Sequence, residues 1–236
     1  MLGMRCVAAV MELPYAALHG VPPSEHAGLG GNLILDQLVG VELHRFPNDD
    51  WEVLYAHAEE LARRAESSGH RVYRIPVGGS SGLGAYAFVR AANEVGDGFD
   101  VVVTPCSSGS THAGLNYAYH GTATRVIGIA CDPEPEIMED LVRLADELDE
   151  ITGEAKKLRE RDYEFSLEWA GEAYGITSPE GEAAIRHLAR TEGIFLDPVY
   201  SAKAFAGLLD LARSGEISGR VLFWHTGGLP ALFAHE

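Results

Sequence analysis

Two rhythms of apolar residues alternate along the chain. Runs of adjacent apolar, often β-branched residues at Arg5–Val10, Val41–Phe46, Val72–Val77, Val101–Val103, Arg125–Ala130 and Val221–Trp224 read as strands of a sheet covered on both faces. Between them apolar residues recur at helical spacing. Leu54, Ala58, Leu61 and Ala65 share one face of a helix beginning at Trp51, and Ile137, Leu141, Leu144, Leu148 and Ile151 form a stripe on a strongly acidic helix. Further helices are expected over Asn32–Val39, Ala85–Val95 and Thr111–Tyr119, from Ser178–Pro179 to near Thr191, and from the turn at Asp197–Pro198 to Gly215. Gly40, Gly69 and Gly193 are placed to end helices, and Asn48 or Asp49 to cap one. Leu13–Gly31, with three prolines and four glycines, reads as a long loop. The alternation predicts an α/β fold, parallel sheets flanked by helices, whose ligands collect outside the carboxyl ends of the strands.

Three glycine-rich turns fall at that edge. The central one follows Val101–Val103, where Pro105 removes a ladder donor and Ser107, Ser108, Gly109 and Ser110 lead into the helix at Thr111. Hydroxyls and free N–H groups at a helix start hold a phosphate without Lys or Arg, although a strand-to-helix turn with serine as N-cap has the same composition. GGSSGLGA, from Gly78 to Ala85, and HTGG, from His225 to Gly228, supply the other two. Connections need fewer glycines than this, so a planar phosphorylated ligand lying among them accounts for all three. The dinucleotide fingerprint fits poorly, because GGSSGLG lacks the G-x-G-x-x-G order and no acidic residue ends the next strand.

Composition narrows the class. A net charge of −17 would repel nucleic acid and anionic membranes, so any bound anion must be held by local chemistry. The three cysteines, Cys6, Cys106 and Cys131, have neither metal-like spacing nor the density of a disulfide framework, and no apolar run is long enough to span a bilayer. A cytoplasmic setting is expected. Cys106 near a helix start is either a thiolate nucleophile or a buried strand-end cysteine. His112 and His120 lie about 80° apart around a helix, which disfavours a shared metal, and no metal site is expected. His225 is expected to be a hydrogen-bonded core residue.

IPVGGSSGLGAYAFV, SSGSTHAGL, GIFLDPVYSAKAFAGLLDL and VLFWHTGGLPALF, in this order, resemble the pyridoxal-phosphate enzymes that include D-cysteine desulfhydrase and 1-aminocyclopropane-1-carboxylate deaminase. The resemblance covers essentially the whole chain. It implies the tryptophan-synthase-β-like fold type II, with residues 1–74 as the remainder of a smaller domain and 75–236 as a larger cofactor-binding domain. It also implies a phosphate loop at Ser108, Gly109, Ser110 and Thr111, and an active-site tyrosine at Tyr200. Thr226, beside Gly227, is similar to the hydroxyl residue facing the pyridine nitrogen, a role Ser201 is near enough to share. An acidic residue follows the tyrosine in the deaminase branch, whereas Ser201 leans toward the desulfhydrase-like branch.

The family's cofactor-linking lysine and the Ser-Asn-His segment after it have no counterpart in these 236 residues, whose lysines are Lys156, Lys157 and Lys203. The chain is therefore expected to be an incomplete form, lacking an amino-terminal part, uncovered on apolar surface and dependent on a homodimer or partner. The expected activity is that of a lyase or deaminase acting on a small amino acid. A non-catalytic pseudoenzyme, half of a split enzyme, and a phosphosugar-binding domain of the sugar-isomerase type stand as alternatives.

Overall fold

The computed structural model describes residues 4–11, 31–46 and 50–234. The chain divides into two compact units, residues 1–75 with 233–236, and residues 76–232. In the first, β1 (Val7–Met11) pairs in parallel with β2 (Glu42–Phe46), joined through α1 (Asn32–Leu38). The following helix, α2 (Trp51–Ser67), is capped by Asp50, whose carboxylate accepts from the Glu52 and Val53 N–H groups. The expected caps Asn48 and Asp49, and most of the expected loop Leu13–Gly31, lie outside the described residues.

The expected strand over Val72–Val77 does not form. Residues 70–76 are irregular, with Tyr73 and Ile75 three-quarters or nearly so exposed at 75% and 71%, and Val77–Gly79 make a single 3-10 turn. Arg74 instead ties this stretch to α2 through bidentate pairs with Glu59 and Glu66. A β-rich composition needs a ladder partner to become a strand, and these residues have side-chain ties in its place.

The second unit is a four-stranded parallel sheet in the order β5-β4-β3-β6, with β3 Val101–Cys106, β4 Arg125–Ala130, β5 Glu164–Ser166 and β6 Val221–Phe223. Its helices are α3 (Gly82–Val95), α4 (Ser110–Tyr119), α5 (Ile137–Thr152), α6 (Pro179–Glu192) and α7 (Ser201–Ser214). Every residue of β3 is buried. Alternation along it explains why a continuous apolar run was needed: Val102 packs with Ala92, Leu115 and Val126 beneath α3 and α4, while Val101 and Val103 pack with Ile127, Ile129, Ala204 and Leu211 beneath α7. The acidic helix α5 turns Leu141, Leu144 and Leu148 into a third cluster with Ala113, Tyr117 and Leu158.

Pro105 does not end β3, which runs on to Cys106. In a parallel ladder alternate residues bond to opposite neighbours, and Val103 accepts from Trp224 on the β6 side while Cys106 accepts from Cys131 on the β4 side. Pro105 shares the parity of Val103, so its missing N–H falls where β6 has already stopped pairing. The short strand β5, pairing with β4, had no expected counterpart.

Candidate functional site

The carboxyl ends of β3, β4 and β6 share one edge, and the chemistry gathers there. Ser107–Thr111 links β3 to α4. Gly109 opens the helix in the left-handed conformation, φ 90°, and no side chain caps its first turn. A Cβ on Gly109 would come within 3.2 Å of Leu141 and 3.3 Å of Leu144, so the turn is pressed onto the α5 stripe. The Ser110 N–H reaches only a long 3.4 Å contact with Ser80 Oγ. A buried helix start with uncapped donors, serine hydroxyls and no basic residue is a donor set that fits a phosphate. Of the alternatives open in the sequence, serine as ordinary N-cap is the one this geometry does not take.

The turn Gly78–Ser81 closes over the cradle. Ser80 Oγ donates to Ser108 Oγ at 2.8 Å, and a Cβ on Gly78 would sit 2.1 Å from that same oxygen. Gly78, at φ 62°, thus permits both the left-handed turn and the close approach. Ser81 meanwhile caps α3 by accepting from the Gly84 N–H. On the other flank Ser107 Oγ donates to Asp132, just past β4, at 3.4 Å, and burial raises the Asp132 pKa.

Tyr200 precedes α7 on the same edge, and its phenol hydrogen-bonds that of Tyr174. The rings stand 5.9 Å apart at 64°. Burial is the first cause raising both phenol pKa values, so both hydroxyls stay protonated. Tyr174 carried no signal in the sequence, because it lies in the irregular stretch between β5 and α6 with no periodicity around it.

Ser201 does not share the edge with them. It is fully buried, donates from Oγ to Asp197 Oδ1 at 2.5 Å and accepts from the Asp197 N–H at 2.8 Å. The Asp197 carboxylate also accepts from the Val199, Tyr200 and Ser201 N–H groups, so this pair builds the start of α7. Its hydroxyl both donates and accepts within this pair, and in this structure it serves the start of the helix. Thr226 and Gly227 follow β6, with Thr226 exposed. His225 shapes that turn: Nδ1 accepts from the Gly227 N–H, which leaves Nε2 to donate to the Phe195 carbonyl. It is hydrogen-bonded as expected, but exposed rather than in the core.

The other weighed residues fall away from chemistry. Burial pushes the Cys106 and Cys131 thiols well up, so neither is a thiolate at neutral pH. His112 is buried in the second unit and His120 exposed at the helix end. Lys156 donates to the Tyr117 carbonyl and pairs with Glu154, Lys157 is exposed beside it, and Lys203 donates to the Cys131 and Ala173 carbonyls.

Comparison with known proteins places these features. The family model described as "Pyridoxal-phosphate dependent enzyme" matches residues 2–227. Provisionally named 1-aminocyclopropane-1-carboxylate deaminases of Pyrococcus furiosus and Pyrococcus horikoshii are 39% and 38% identical, each over 87% of this chain. The chain spans 64% of the length of these curated relatives. The crystal structure of an ACC deaminase homologue superposes with a TM-score of 0.85 at 33% identity, covering 98% of this chain and 68% of that one. An O-ureido-L-serine synthase, at 17% identity and a TM-score of 0.58 over 93% of this chain and 63% of its own, shares the fold.

Proposed function

The chain belongs to the family of pyridoxal-phosphate dependent enzymes, with the family's type II fold, and from that premise we propose that it serves a lyase or deaminase acting on a small amino acid, of the D-cysteine desulfhydrase or 1-aminocyclopropane-1-carboxylate deaminase kind. The observation that carries the reading is the meeting, on one sheet edge, of an uncapped hydroxyl-lined helix start with a pair of protonated phenols. The sugar-isomerase-type alternative is set aside by the family match.

Bound pyridoxal phosphate supplies a ring that withdraws electrons from the substrate's α-carbon. Ser108, Gly109, Ser110 and Thr111 hold its phosphate through N–H and hydroxyl donors at the positive end of α4. Of the two phenols one donates to the other, leaving a single O–H free to hold or deliver a proton at Tyr200 or Tyr174 Oη. Thr226, exposed after β6, would offer the ring nitrogen a neutral hydroxyl, a partner that would leave it largely unprotonated.

Covalent anchoring and removal of the α-proton call for a lysine amine, and none of Lys156, Lys157 and Lys203 presents a free one at this edge. We place that lysine in the part of the relatives' length that these 236 residues do not span, to be met in a longer form of the chain or on a partner chain. The test is titration of the purified chain with pyridoxal phosphate, followed by borohydride reduction and peptide mapping. The expected result is reversible binding that inorganic phosphate competes away, with no lysine labelled in stoichiometric yield. Absence of binding, or binding indifferent to phosphate, would overturn the cradle assignment. Stoichiometric labelling of Lys203 with keto-acid production would overturn the placement of the lysine.

A further inference from the structure

Lys203 lies in the first turn of α7, fully buried, among Ser201, Ala202, Ala204 and Phe205 that are buried with it. Burying an ammonium costs several kcal/mol even after relaxation, and a methionine would fill similar volume without that cost. Something other than packing is therefore served. Its Nζ donates to the Cys131 carbonyl, at the end of β4, at 2.7 Å and to the Ala173 carbonyl at 3.1 Å. Asp132, Asp197 and the Cys131 thiol are the charged and titratable groups that act on it, opposing the lowering by burial.

Ala173 precedes Tyr174 in the irregular residues 167–178. This stretch bends through left-handed Gly171 and Gly175, and its backbone turns, Ala170 N–H to Leu167 and Ile176 N–H to Ala173, are local. Local turns fix shape within a loop but not its seat on the sheet. Trp169 packs the start of the loop against the cluster of Ile127, Ile129 and Ala204, and the Lys203 bond, spanning 30 residues to Ala173 and 72 to Cys131, ties down the part beside Tyr174. Gly171 of the loop lies beside the ammonium, where a Cβ would stand in ordinary contact, 3.7 Å from Nζ.

We propose that Lys203 is a positioning residue whose ammonium clasps the backbone at Ala173 to the end of β4, and thereby holds the Tyr174 phenol against that of Tyr200. The proposal rests on the functional reading above only in assigning the phenols to the substrate side, and the clasp itself is testable without cofactor or substrate.

The test uses the full chain with 3-fluorotyrosine in place of Tyr174, read by fluorine NMR. In the otherwise unaltered protein, Tyr200→Phe removes the phenol–phenol bond and shifts the fluorine resonance. In a Lys203→Met background the same Tyr200→Phe change leaves the resonance where it was, and amide exchange across residues 171–176 is about tenfold faster while β3 and β4 keep their protection. Should Lys203→Met not fold, Lys203→Gln, which removes the charge but keeps a donor and much of the stem, is read in the same way. A Tyr200→Phe shift of undiminished size in the Lys203 variant overturns the proposal, as does unchanged exchange in the loop or the absence of any shift in the unaltered protein. Failure to bind pyridoxal phosphate would overturn the functional reading and leave these spectra as they are.

Discussion

The hydroxyls of Ser201 and Thr226 are placed differently, one buried and one exposed, and substitution separates their duties. Ser201 is enclosed by Asp197, so Ser201→Ala leaves a buried N–H and carboxylate short of a partner and is expected to cost ~1–3 kcal/mol of stability without weakening pyridoxal-phosphate binding. Thr226→Val, at an exposed position, is expected to leave stability within about 0.5 kcal/mol and to act on the bound cofactor's absorbance and affinity instead. Denaturant unfolding and cofactor titration of both variants check the pair; equal effects on affinity would restore Ser201 to the site. Gly109→Val is the complementary case. Its φ of 90° and the leucines 3.2–3.3 Å from its would-be Cβ force the cradle out of shape, so phosphate competition for the cofactor should vanish while the far-ultraviolet spectrum persists. The turn at Ser107–Ser110 was legible as a strand-to-helix junction, whereas its composition fits a phosphate cradle and a serine N-cap alike, and only the uncapped first turn separates the two. The Ser201–Asp197 pair was not legible because the carboxylate, four residues back, closes on the hydroxyl only once Asp197–Tyr200 has turned. Tyr174 was invisible because its partner is 26 residues away across an irregular loop.

At the scale of elements, the apolar stripe on α5 shows what periodicity can and cannot tell. Ile137, Leu141, Leu144 and Leu148 meet the core as spaced, but Ile151 is 45% exposed because the helix ends one residue later and its last turn projects past the packed face. Leu144→Ala empties a site bounded by α4 and the phosphate turn and is expected to destabilise the second unit by ~2–5 kcal/mol. Calorimetric or denaturant unfolding would show it, and a loss below about 0.5 kcal/mol would mean that the stripe is not core. The strands β3, β4 and β6 and the helices of the second unit were legible to within a few residues because both rhythms there run without interruption. Val72–Val77 failed as a strand for want of a ladder partner, and β5 escaped notice because three residues carry too little pattern to distinguish. Pro105 misled for a related reason. Its effect depends on which neighbour its N–H would face, and that is a property of the assembled sheet.

The behaviour of the whole second unit with pH turns on His112, a residue the chemistry does not use. Its ring is fully buried against Tyr163 and Phe165, seated over Gly128, where a Cβ would come within 2.3 Å of Nδ1. Neither ring nitrogen has a hydrogen-bond partner of normal geometry, and desolvation, opposed by the nearby Val126 backbone, lowers its pKa from 6.5 to about 4. The folded chain therefore binds this proton more weakly than the unfolded chain does. The stability associated with the neutral ring is fully present above pH 6.5 and is lost as pH falls from there toward about 4, by ~3 kcal/mol at most. Asp132 works in the opposite sense: its raised pKa makes the folded state the better proton binder just above the ordinary carboxylate range, so it offsets part of the loss at the lower end of that window. The expected record of unfolding free energy against pH is then a decline beginning near 6.5 that flattens as Asp132 protonates. His112→Asn, which keeps a polar ring-sized edge but does not titrate, should remove the decline between pH 6.5 and 5 while lowering stability at pH 7.5 by ~1–3 kcal/mol through lost packing. A decline of unchanged slope in that variant would move its origin to other groups. Persistence of the decline in the native chain together with intact phosphate competition would separate the acid sensitivity of the core from that of the cradle, whose donors are N–H and hydroxyl groups that do not titrate in this range.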